Sequence, residues 1–403
     1  MKIAIISEEF LPQRTGVAIN LMKRLRYFCE KGYQVRVYSP DYSVLAGQYP
    51  DWNDYQGEIL PGIVVVPFSS QAASLGQLSK STMVDPKPFS GLAVEKDIIA
   101  FEPDIIHVDS PERLFFGFLT VPGKKAAKEL GIPLVSFYRT HFVQMLPKYR
   151  DYIPWARIPG VITFLHWLSM WVYRQYPIVL TASADTENQL NDWGITHTCT
   201  GKFLGVEVEK FMPISRHQDS GPHKCLTVIS VTRLDPDKNI DWLLDICSAI
   251  NNSPVNCRFI FVGDGVEAHK VERWVAGHKN AEYVGSVPNH ETVKYYQQAD
   301  VFITAATHET FGTTLIEAAA CGLALMGFRE GAVRDRIDDG GNGFLLDAGD
   351  ISGFADKLLL LDQDRSLLDK FSRRSIQIAG SYSNESTSKN LLDVWEAQIG
   401  KSA

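Results

Sequence analysis

At 403 residues, with 45% hydrophobic and 22% charged side chains, the chain has ordinary globular composition and length for about two domains. A formal net charge of −7 supplies no global basic field, which argues against a nucleic-acid partner. Six scattered cysteines lack zinc or redox spacing and no apolar run reaches the ~18 residues of a membrane span, so a cytoplasmic protein without a signal peptide is expected.

In chain order, an apolar strand over residues 2–6 leads through a loop at 8–16 into a helix over 17–31, which Gly32 ends. Further strands are predicted at 33–38, 63–67, 105–108, 133–137 and 178–182. The segment 205–225, with Pro213, Gly221 and Pro222 among polar neighbours, has the composition of a linker. The second half repeats the scheme, with strands at 226–231, 258–262, 281–284 and 301–304. Helices are predicted at 239–250, 271–277, 290–298 and 314–321. A last amphipathic stretch, 387–399, places Leu391, Leu392, Trp395 and Ile399 on one face. Strands alternating with helices imply βαβ units and parallel sheets. The expected architecture is α/β: two doubly wound Rossmann-like domains, 1–205 and 206–380, facing a central cleft, with 381–403 as a helix returning to the first domain.

Two motifs sit at predicted strand ends. In the first, the run Thr307-His308-Glu309-Thr310-Phe311-Gly312-Thr313-Thr314-Leu315-Ile316-Glu317 passes from a buried strand through a glycine loop into a helix. Free amides at a helix start attract an anion, and Glu309 and Glu317 remain to accept hydrogen bonds from hydroxyls. In the second, Thr232-Arg233-Leu234-Asp235-Pro236-Asp237-Lys238-Asn239 ends a strand of β-branched residues. An arginine fork and a lysine point charge there suit a diphosphate. The alternative is that both cations form ordinary ion pairs with Asp235 and Asp237. Asp235-Pro236-Asp237 is read as turn chemistry rather than a metal site.

The Arg233…Lys238 loop, the Phe261-Val262-Gly263-Asp264-Gly265 strand end, Val284-Gly285-Ser286-Val287 and the pair Glu309…Glu317 together resemble the nucleotide-sugar domain of glycosyltransferase family 4. The first half is also similar, through Ser7-Glu8-Glu9-Phe10-Leu11-Pro12, Gly16 and Pro103-Asp104-Ile105-Ile106-His107. Among members, the pattern is most like those that glycosylate membrane lipids, such as the sulfoquinovosyl- and galactosyl-diacylglycerol synthases. The resemblance implies a GT-B fold, a retaining, metal-independent hexosyltransferase, and a nucleotide-diphosphate sugar as donor, taken here as a UDP-sugar. It implies further that Arg233 and Lys238 hold the diphosphate, that Glu317 takes the ribose and that Glu309 takes the sugar hydroxyls. The backbone of Phe311, Gly312, Thr313 and Leu315 would surround sugar and phosphate, Val287 would read the base, and Gly16 would let a first-domain loop approach the phosphate. Many members carry Y-H-T-H near the sugar, whereas this chain has Tyr138-Arg139-Thr140-His141. Arg139 cannot act as a base, but it suits an anionic group or departing phosphate, with His141 beside it.

The acceptor side is read from residues 145–177, where Trp155, Trp167, Trp171 and Tyr173 stand among Lys148, Arg150, Arg157 and Arg174. Aromatic and basic residues in one segment suit an anionic membrane surface, and the same spacing suits a packed core helix. The expected acceptor is a membrane glycerolipid or glycolipid, with peripheral attachment to the cytoplasmic membrane face; no cofactor or metal is expected. The alternatives are a soluble sugar or small-molecule acceptor, or a nucleotide-sugar epimerase on the same fold.

Overall fold

A computed structural model describes residues 1–72, 84–149, 157–214 and 225–402. The chain separates into two compact units, Met1–Gly205 with Asn384–Ala403, and Val206–Ser383.

The first unit is built on an eight-stranded sheet. Its spatial order is Thr198–Thr200, Ile178–Thr181, Leu134–Phe137, Ile105–Asp109, Lys2–Ile6, Gln34–Pro40, Ile63–Phe68 and Gly57–Leu60. Only the Gly57–Leu60 edge runs antiparallel to its neighbour. Ile3, Ala4, Ile5 and Ile6 are wholly buried, as expected of a parallel strand covered on both faces. The helix Gly16–Glu30 follows, its first turn capped by the Thr15 hydroxyl, which accepts from the Ala18 N–H at 3.2 Å. The C-terminal helix Asn384–Ser402 belongs to this unit. Its Trp395 is fully buried, with ring centroids 5.5 Å from Phe28 and 5.2 Å from His107.

The second unit carries a six-stranded, wholly parallel sheet ordered Ala281–Gly285, Cys257–Val262, Leu226–Val231, Val301–Thr304, Ala324–Phe328 and Gly343–Leu346. Counted from the start of the unit this is strand order 3-2-1-4-5-6, the doubly wound order of dinucleotide-binding folds. Leu226, Val228, Phe259, Phe261, Val301, Ile303 and Met326 form the middle of its core. The order reverses between Leu226–Val231 and Val301–Thr304, so a crevice opens beyond the carboxyl ends of those two strands. Both sequence motifs lie there. Two strands, Ala324–Phe328 and Gly343–Leu346, and three helices, Val333–Arg336, Ile351–Gln363 and Arg365–Gly380, follow in the unit beyond the predicted elements.

Candidate active site

Beyond Val231 the chain turns through Pro236–Lys238 into the helix Ile240–Asn251. Asn239 makes this possible by adopting a left-handed backbone, φ 53°, a conformation asparagine tolerates better than most residues. Its side-chain amide donates to the Ala305 carbonyl at 2.8 Å and to the Thr307 hydroxyl at 3.1 Å. One asparagine thus ties the end of the first strand of the unit to the end of the fourth. Gly263 closes the same edge from the other side: a Cβ there would stand 1.8 Å from the Thr232 carbonyl oxygen.

That tie brings the two motifs into contact. Lys238 Nζ lies 2.9 Å from Glu309 Oε2 and 3.3 Å from Asp237 Oδ2. Burial works against the ammonium, but Glu309 and Asp237 outweigh it and lift the Lys238 pKa above the ordinary lysine value. Burial likewise opposes the Glu309 carboxylate, and Lys238 with the Gly312 amide holds its pKa below the ordinary value. Arg233 pairs with Asp235 and, at 3.1 Å, with Asp237. Its side chain is 54% exposed against 13% for Lys238, so the guanidinium is open to an incoming anion while the ammonium is set in place.

The helix Thr313–Ala320 starts at Gly312, whose φ of 78° sets the bend. The expectation of free amides across the whole loop is corrected here. The Gly312 N–H donates to Glu309 Oε1 at 3.1 Å, and the Leu315 N–H donates to the Gly312 carbonyl. Leu315 is also 2% exposed, so its side chain is a packing group. Thr313 and Thr314 are the residues whose amides open the helix without an intrahelical acceptor. Nor do the two glutamates stand free. Glu309 holds Lys238, and buried Glu317 accepts from the Asn289 amide at 3.0 Å and from the Tyr296 hydroxyl at 3.0 Å. Val287 lies in the loop between Ala281–Gly285 and Asn289–Tyr296, so the expected base reader stands two residues from the partner of Glu317.

Phe311, 7% exposed, is held from behind by Arg336, whose Nε donates to its carbonyl at 2.9 Å. The sequence reading did not find Asn239, Asn289, Tyr296 or Arg336. For Asn239 the turn-forming run before a helix was an available signal; for the others the partner is distant in sequence.

The remaining predicted residues lie in the first unit. Gly16 is exposed, and a Cβ there would meet nothing within 4 Å, which leaves open space at the start of its helix. Arg139 and His141 are buried rather than displayed. Arg139 lies over the Phe137 ring at 5.1 Å and places Nη1 3.4 Å from Asp109 Oδ1, an oxygen shared with His107 Nε2 at 3.2 Å. Burial opposes ionisation of Asp109, yet Arg139 and His107 hold its pKa far below the usual carboxylate range. His141 Nδ1 is 3.1 Å from the Tyr138 hydroxyl. The same sheet edge holds a carboxylate cluster that the sequence reading passed over. Arg113 Nη1 sits 2.9 Å from Glu8 and 3.1 Å from Glu9, and Glu112 accepts from the Tyr173 hydroxyl at 2.5 Å. Burial raises the Glu8 pKa and pushes Glu112 up to about 7.

The helix Val161–Tyr173 carries both buried and exposed apolar side chains. Met170, Val172 and Tyr173 are buried, while Phe164 and Trp167 are 58% and 56% exposed. Phe164 and Trp167 stack on each other, Trp171 packs edge-on against Phe115 at 5.7 Å, and Arg157 and Arg174 are exposed nearby in sequence. Trp155 and Arg150 lie outside the described residues. Among those residues no helix is long and apolar enough to cross a membrane.

Comparison with known proteins covers nearly the same ground as the two units. The family model described as Glycosyltransferase Family 4 matches residues 15–200, and that described as Glycosyl transferases group 1 matches residues 214–378. The chain is 29% identical over 309 residues to a sulfoquinovosyl transferase of Arabidopsis thaliana, covering 73% of this chain and 55% of that protein, little more than half its length. It is 27% identical over 381 residues to a GDP-mannose-dependent alpha-mannosyltransferase of Mycobacterium tuberculosis, covering 93% of this chain and 92% of that one. An alpha-monoglucosyldiacylglycerol synthase of Acholeplasma laidlawii is 29% identical over 176 residues, 43% of this chain and 44% of that one. Among solved structures, the sucrose-phosphate synthase from Thermosynechococcus elongatus matches with a TM-score of 0.74 over 100% of both chains; at 16% identity this is a likeness of fold alone.

Proposed function

The chain belongs to the family 4 glycosyltransferases of GT-B fold, and from that premise we propose that it moves a hexose from a nucleotide-diphosphate sugar to a hydroxyl of a membrane glycerolipid or glycolipid, with retention of configuration. The observation that carries this reading is the Lys238–Glu309 contact across two adjacent strand ends, with half-exposed Arg233 and the Thr313 and Thr314 amides beside it. A cation pair and a helix start in one crevice are complementary to a diphosphate, and the carboxylates around them to sugar and ribose hydroxyls.

On this reading Lys238 and Arg233 exchange part of their contact with Asp235, Asp237 and Glu309 for phosphate oxygens as the donor binds. The same cations and the helix amides stabilise the charge that develops on the departing diphosphate. The acceptor hydroxyl attacks from the face the diphosphate leaves, and a phosphate oxygen takes its proton. Protein cations supply the neutralising charge, so the reaction is proposed to need no metal. Glu309 orients the sugar, and Glu317, steadied by Asn289 and Tyr296, orients the ribose. Arg139, whose buried guanidinium already pairs with Asp109, and His141 beside it are proposed to lie near the reacting region, where Arg139 suits an anionic substrate group or the departing phosphate only by exchanging that pair.

Three observations support a lipid acceptor: the exposed Phe164–Trp167 pair, the exposed Arg157 and Arg174, and the lipid product named for the Acholeplasma relative. Uridine is the proposed base; guanosine is the second reading, because the Mycobacterium relative is named for GDP-mannose. The test is a turnover screen with uridine and guanosine diphosphate sugars, with and without vesicles of bacterial lipid extract, following nucleotide release and product mass. Release that requires vesicles and yields a heavier lipid is expected. Release with a soluble sugar alone overturns the lipid acceptor, and a new nucleotide-sugar without transfer reassigns the chain to epimerisation.

A further inference from the structure

The loop that carries Glu309 is braced from outside the two motifs. The brace begins at Gly331, where φ is 55° and a Cβ would stand 2.7 Å from the Glu309 carbonyl oxygen and 3.0 Å from its amide nitrogen. Only a residue without a side chain lets the two backbones meet this closely. The next residue, Ala332, donates its N–H to the Glu309 carbonyl at 2.7 Å. One turn later Arg336, 3% exposed, donates from Nε to the Phe311 carbonyl at 2.9 Å. Two successive turns of one segment thus hold the backbone on either side of Thr310.

Arg336 reaches further. Its guanidinium carbon lies 5.0 Å from the Phe311 ring centre and 4.8 Å from that of Tyr382, and Nη1 donates to the Tyr382 hydroxyl at 2.9 Å. Tyr382 is itself buried, and its carbonyl accepts from the Val206 N–H at 2.8 Å, with Val206 and Ser383 paired as an isolated bridge. Val206 and Ser383 are the first and last residues of the second unit. A single planar cation therefore joins the loop expected to grip the sugar to both ends of the unit. Only arginine offers a flat face to two rings and edge-on donors to two oxygens at once.

We infer that Arg336 is a positioning residue for transfer: through Phe311 it holds the Glu309 loop in the shape that distinguishes a nucleotide-sugar from the bare nucleotide. This rests on the reading that Glu309 contacts the donor sugar. The contacts of Arg336 described above run to Phe311 and Tyr382, whereas Lys238 is held by Asp237 and Glu309 and Glu317 by Asn289 and Tyr296, so its loss is expected to leave the nucleotide half of the site in place.

The test compares Arg336→Met, Arg336→Lys and Tyr382→Phe with the unaltered full chain. Melting is measured first, then the Kd for nucleoside diphosphate alone, the Kd for the intact donor, and kcat. In a folded Arg336→Met protein kcat falls about 10- to 100-fold, the scale expected when a reacting group is misplaced by about 1 Å. Its affinity for the bare diphosphate holds while the preference for the intact donor is lost. Arg336→Lys recovers part of that preference, since it restores a donor to the Phe311 carbonyl. Should Arg336→Met not fold, the same split is read on Arg336→Lys and Tyr382→Phe, each of which loses part of the preference. An unchanged kcat, or equal loss of both affinities, overturns the inference. Glu309→Ala separates the two readings. If it keeps the preference for the intact donor, the sugar-contact reading fails; if it loses the preference while folded Arg336→Met does not, only the role of Arg336 fails.

Discussion

The carboxyl edges of the two sheets have the same topological character and keep their ion pairs at different depths. In the second unit the edge carries Arg233 and Lys238, each set against carboxylates, with Arg233 half exposed. In the first unit the edge carries Glu8, Glu9 and Glu112 around Arg113, all largely buried. A partly exposed ion pair is exchangeable: an incoming phosphate replaces a carboxylate at little cost, because both states keep the cation paired. Glu8 and Glu112 have no such exchange, and burial raises their pKa values, favouring the form that holds its proton. The difference teaches that a switch point is a place rather than a function. Depth of burial and the exposure of its cations decide what it binds.

The sharpest way to break this contrast is Lys238→Ala. Loss of a buried cation aimed at developing negative charge is expected to lower kcat by about 10²- to 10³-fold. Steady-state turnover with the working donor checks it, and near-normal turnover would remove the second edge as a phosphate site. Glu309→Ala comes next: donor use should fall about 10-fold or more while nucleoside diphosphate still binds, since the hydroxyl contact is lost and the phosphate cations remain. Calorimetry with diphosphate and with intact donor reads the two halves separately.

Trp167→Ser probes the first unit. Because it is 56% exposed, its replacement should leave folding intact and lower binding to anionic vesicles about 10- to 100-fold, by loss of about 1.5–3 kcal/mol of apolar insertion. Unchanged flotation would assign this face to another role. The smallest effect concerns Glu112, whose pKa is raised from 4.5 to about 7 by burial. A raised carboxyl binds its proton more tightly in the folded chain, so its contribution is present below pH 4.5 and is lost as pH climbs toward 7. Glu112→Gln should therefore melt at a similar temperature to the unaltered chain at pH 5 and a few degrees higher at pH 8. Equal melting differences at both pH values would show that Glu112 does not hold the proton.

Much of this was legible without coordinates, for a local reason. The apolar runs at 2–6, 226–231 and 301–304 alternate with helical segments, and such periodicity is carried by neighbours in the chain. The motif residues Arg233, Lys238 and Glu309 were visible because each follows the end of such a strand, and Glu317 because it lies inside the helix that comes next. The strands Ala324–Phe328 and Gly343–Leu346 were not: with Ala, Leu, Met, Gly and Phe and no β-branched residue they carry little local strand preference, and only pairing in the sheet makes them strands. Nor did residue type show the internal partners at this loop, where the Leu315 side chain is buried and the Gly312 N–H donates to Glu309.

The sequence by itself determined the kinds of elements, their alternation and the residue types at the strand ends. Tertiary structure decided the pairings: Lys238 with Glu309 across 71 residues, Asn289 with Glu317 across 28, and Arg336 with Tyr382 across 46. Whether a given Lys, Glu or Arg is a solvated charge or part of a site depends on which partner the fold delivers and how much water it removes, and neither is written in the neighbouring residues.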